Sequence, residues 1–60
     1  MNVSNEVREA AFAFREALQS GDQDAQAAAL SVIRAEVNFE NERDVQEFAL
    51  RVAADTMSRA

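Results

Sequence analysis

Glu36, Glu40 and Glu42 stand close together in the chain. On a helix the first two would share a face one turn apart. Oxygen donors in that arrangement could hold Ca²⁺ or Mg²⁺, but acids at this spacing usually form a solvated helix face. The sequence is read that way, and no metal or cofactor is expected. A second cluster with chemical potential is Arg8, Phe12 and Arg15. An aromatic ring between two guanidinium groups could stack a nucleotide base while the arginines hold its phosphate. It could equally anchor a protein contact whose charged surround sets the register.

Catalysis has little to work with. The chain contains no His, Cys, Tyr or Trp, and all six basic residues are Arg. General bases tuned near neutrality and activated nucleophiles would have to come from carboxylates or unassisted hydroxyls. A single glycine rules out a Gly-rich phosphate loop. The chain is therefore expected not to be an enzyme.

Charge narrows the partners. A net charge of −5 and a pI near 4.4 disfavour a nucleic-acid surface, which needs clustered Lys and Arg to neutralise phosphates. The eleven acids are interspersed with the six arginines, so a carboxylate array imitating DNA is not expected either. The N-terminal MNVSNEVRE has neither the basic nor the apolar region of a secretory leader, and no apolar run approaches a membrane span. These features predict a cytoplasmic protein with no membrane association.

The elements that would position these side chains are helices. With no proline and one glycine, helix formers dominate throughout. The fold class is all-α, and residues 1–60 form a single small domain. Gly21 is placed to end a first helix in left-handed conformation, giving a helix over about 5–20 with Ser4 or Asn5 as its cap. Asp22 or Asp24 would cap a second helix over about 22–38. The apolar stripes of that helix both fail beyond Phe39, and Asn41 can cap a third helix over about 42–58. The alternative is a two-helix hairpin with one long second helix.

Helical periodicity then separates core from surface. Val3, Val7, Ala10, Ala11, Phe14 and Leu18 fall on one stripe of the first helix, so Phe14 is the core phenylalanine and Phe12 lies on the charged face. In the second helix, Ala29, Leu30, Ile33 and Val37 form one apolar side, and Ala25, Ala28, Val32, Ala35 and Phe39 form another. Small residues at Ala25, Ala28, Val32 and Ala35 would let another helix pack closely. The third helix has a main stripe of Val45, Phe48, Ala49, Val52 and Thr56, and a second of Leu50, Ala53 and Met57.

A chain of 60 residues buries only about 60 % of the surface that it exposes when unfolded. Small domains without disulfides or metals commonly rely on association, so the surplus stripes predict an oligomeric helical bundle, a dimer or larger. The expected function is a small, self-associating interaction module that binds a protein partner to regulate or inhibit it. Its expected interaction surface is Arg8, Glu9, Phe12, Arg15, Glu16, Leu50 and Met57. The alternatives are an oligomeric binder of a phosphate-bearing aromatic ligand, such as a nucleotide, and a structural assembly subunit.

Overall fold

Ser4 begins the first helix. Its backbone is extended, and its Oγ accepts a hydrogen bond from the Val7 amide at 3.2 Å, satisfying one of the donors that a helix start leaves unpaired. Of the two caps open to it, the chain uses Ser4 rather than Asn5. The computed structural model describes residues 3–58, so Arg59 and both extremes of the expected 1–60 domain lie outside the described residues. The described residues form three helices: α1, Asn5–Ser20; α2, Gln23–Glu36; and α3, Glu42–Ser58.

The α1–α2 connection is a tight turn with a specific chemistry. Gly21 is left-handed at φ 74°; its amide donates to the Leu18 carbonyl, and the Asp22 amide donates to the Ala17 carbonyl at 3.0 Å. This is the paired arrangement of a Schellman motif. Asp22 then caps α2, its Oδ1 accepting from the Ala25 amide at 3.0 Å. A Cβ at Gly21 would meet nothing within 4 Å. The expected cost of Gly21→Ala is therefore conformational alone, about 1–2 kcal/mol. Urea melts measure it, and an unchanged midpoint would mean that the left-handed turn is dispensable.

The second boundary comes two residues earlier than the sequence suggests. Val37 turns extended, at φ −130° and ψ 129°, and α2 stops at Glu36. The physical reason lies in Phe39. It leaves the α2 stripe to which its spacing assigned it and packs on Phe48 of α3, ring centroids 5.3 Å apart and tilted by 55°. Aromatic pairs of this kind contribute about 0.5–1.5 kcal/mol beyond burial. Asn41 caps α3 as expected, its Oδ1 accepting from the Asp44 amide at 3.0 Å.

The core has one cluster. α1 contributes Val7, Ala10, Ala11 and Phe14; α2 contributes Ala29, Leu30 and Ile33; α3 contributes Val45, Ala49, Val52 and Ala53. α1 is the central element, packed against both of the others, whereas α2 and α3 touch each other sparingly. Ala11 of α1 and Ala49 and Ala53 of α3 are fully buried, and side chains this small permit a close approach between packed helices. Leu18 departs from the expected core stripe and is 43 % exposed, while Ala17 is buried instead. The tight turn brings Gln26 back to donate to the Ala17 carbonyl, which covers Ala17 and leaves Leu18 at the rim. At the opposite end of the hairpin the Ser4 hydroxyl donates to Glu36 Oε2 at 3.0 Å.

Candidate interaction faces

α1 separates its charges around its axis. At about 100° per residue, Arg8 and Arg15 fall on one side, and Glu6, Glu9 and Glu16 fall on another. No carboxylate of α1 stands three or four residues from either arginine, the spacing that an intrahelical ion pair requires. Among the described residues neither arginine finds a partner elsewhere; Arg43 by contrast pairs with Glu47 within α3, at 3.6 Å and well exposed.

The acidic side of α1 borders a groove against α2. This depression, of ≈ 490 Å³, is floored by Ala10, Ala13, Ala25, Ala28, Ala29 and Val32, with Glu6 and Glu9 also lining it. It is shallow because its walls are alanines. Three of the four residues of the expected small-residue packing face, Ala25, Ala28 and Val32, line it; Ala35 does not. Ala28, Val32 and Ala35 are exposed, and Ala25 is half-buried, so among the described residues no helix covers this face.

The basic side of α1 borders a second groove, of ≈ 420 Å³, against α3. It is lined by Arg15, Leu50, Ala54, Met57 and Ser58. The fold thus brings together three residues of the expected interaction surface, Arg15, Leu50 and Met57, that lie far apart in sequence. That surface is divided by the fold: Glu9 faces the other groove, Glu16 is exposed, and Arg8 is half-buried. Phe12 does not stand free on the charged face. It is half-buried and packs against the core cluster, so the stacking platform that a nucleotide would need is only partly open.

Among the described residues four large apolar side chains are exposed: Leu18 43 %, Val32 41 %, Leu50 41 % and Met57 46 %. Three of them line these two grooves, which makes the exposure patterned rather than scattered. Sequence reasoning missed Glu6, Ala13, Ala54 and Ser58. Each nevertheless sits three or four residues from a lining neighbour: Glu6 and Ala13 flank Glu9 and Ala10, and Ala54 and Ser58 continue from Leu50.

Glu36, Glu40 and Glu42 do not form a metal-holding group. Glu36 turns to Ser4, and among the described residues no group of three acids has metal-holding geometry. Among the same residues no helix is long and apolar enough to cross a membrane. The fold and faces define a small all-α domain of three short helices. No family model, curated protein or solved structure matches this chain.

Proposed function

We propose that the chain is a non-catalytic, cytoplasmic interaction module that self-associates and binds a protein partner, regulating or inhibiting it. The observation that carries this reading is the gathering of Val32, Leu50 and Met57, all more than 40 % exposed, at two grooves on different sides of one helix. Recognition would work by helix faces: apolar side chains seat in a groove, and charged residues at its edge set the register.

Ala28→Leu and Ala35→Leu test it together. Both positions are exposed in the single chain, so at high dilution each variant is expected to keep wild-type stability within about 0.5 kcal/mol. Ala28→Leu fills the groove and is expected to lose contacts that wild type makes at higher concentration, whereas Ala35→Leu lies outside it and keeps them. The readout is the concentration dependence of melting, together with affinity capture from host lysate using the same two variants and Leu50→Ala. Identical melting and an identical captured set for all four proteins would remove both grooves from the function.

A further inference from the structure

We infer that the chain associates head-to-tail, with Leu50 and Met57 of one copy seated in the alanine-lined α1–α2 groove of the next. This rests on the interaction-module reading and specifies its self-association. Shape gives the first argument. Leu50 and Met57 are seven residues apart on α3, and Ala25 and Val32 are seven residues apart on α2; each pair spans about 10 Å of helix. Two large, exposed side chains therefore match in length a trough whose walls are small, which is the condition for ridge-into-groove packing.

Charge gives the second argument, and it selects the partner. The trough carries Glu6 and Glu9, and the Leu50–Met57 face carries Arg15, with Arg8 on the same side of α1. Pairing trough with trough in a two-fold dimer would set Glu6 and Glu9 of one copy against those of its mate. Pairing the Leu50–Met57 faces would set arginine against arginine and large side chains against large. Pairing one face with the other matches both size and sign.

Helical geometry gives the third. Glu6 and Glu9 lie about 180° and 120° around α1 from Arg15, so each copy presents complementary faces on different sides. A contact between unlike faces does not close on itself in a pair. It leaves one free face at each end and grows into a ring or an open chain of copies. A specific interface needs about 1,000 Å² in total, or about 500 Å² per copy, a modest share of the 4178 Å² that the single chain exposes. Association should also weaken as salt is raised, because the facing charges are solvent-accessible.

The test is complementation between two blocked copies. Ala28→Glu closes the trough and leaves Leu50 and Met57 intact; Leu50→Glu closes the other face and leaves the trough intact. Both positions are exposed in the single chain, and circular dichroism confirms folding. If either variant is unfolded, Val32→Glu or Met57→Glu replaces it. Sedimentation velocity then compares wild type, each variant alone and a 1:1 mixture. The expected result is that wild type grows beyond a dimer with concentration and each variant alone stays at 6.6 kDa. The mixture should form a species of twice that mass and nothing larger, because the two remaining faces pair once and stop.

Several results overturn the inference. Leu50→Glu still dimerising while Ala28→Glu does not would show trough-to-trough pairing, and the converse would show pairing of the Leu50–Met57 faces. Association surviving in both variants places the contact elsewhere. Two folded monomers that fail to combine show that the faces do not meet. Wild type that remains monomeric throughout rejects self-association; the partner-binding part of the reading falls only if lysate capture is also insensitive to both faces.

Discussion

Replacing Phe14 with alanine is expected to destabilise the fold by about 3–5 kcal/mol. Phe14 is 1 % exposed and is the largest fully buried side chain among the described residues, on the helix that packs against both others. Truncation removes the transfer free energy of the ring and leaves a cavity, and backbones held by their own caps cannot collapse fully to fill it. A single core this small rarely supplies more than about 3–5 kcal/mol in total, so the expected outcome is a chain that is largely unfolded without added stabiliser. Urea titration followed by circular dichroism, in osmolyte if required, gives the value. Phe12→Ala is the contrast: its half-buried ring should cost distinctly less. Equal losses at the two positions would mean that Phe12 is core to the same degree.

Ile33→Ala is the second large effect, expected at about 2–5 kcal/mol, with Ile33→Val at about 0.5–1.5 kcal/mol as a graded control. Ile33 has no exposed surface and is the most deeply buried of the three residues that α2 commits to the core. Because α2 and α3 touch sparingly, α2 has little else to hold it beyond α1. Amides of α2 should therefore lose hydrogen-exchange protection earlier than those of α1 in the alanine variant. Uniform loss across all three helices would show that α2 does not open independently, and melting unchanged from wild type would place Ile33 outside the core.

The helices were legible from the sequence wherever a boundary is decided locally. Asn5–Ser20 and the start of α3 at Glu42 follow from Ser4, Gly21 and Asn41, each of which acts on amides or carbonyls within a few residues. The early end of α2 was not legible in the same way, because it depends on Phe39 meeting Phe48, a contact between elements. The same division runs through the candidate faces. The Ala25, Ala28 and Val32 stripe is a property of one helix and can be read from spacing. The meeting of Arg15 with Leu50 and Met57 depends on how α3 lies along α1, and the partial cover over Phe12 depends on the core cluster that all three helices build. No periodicity within a single helix encodes that.

The contact between Ser4 and Glu36 joins residues 32 positions apart, a separation that would carry a substantial closure cost if the two ends had to find each other directly. They do not have to. The Gly21–Asp22 turn spans a few residues, and each further turn of α1 and α2 away from it adds pairs only slightly farther apart in sequence, so the long separation divides into short steps. Loop-closure entropy grows with the length closed at once, and folds dominated by such near-neighbour steps are the rapidly forming ones. The Ser4 clasp thus lies at the far end of a hairpin whose turn is built on the chain's single glycine.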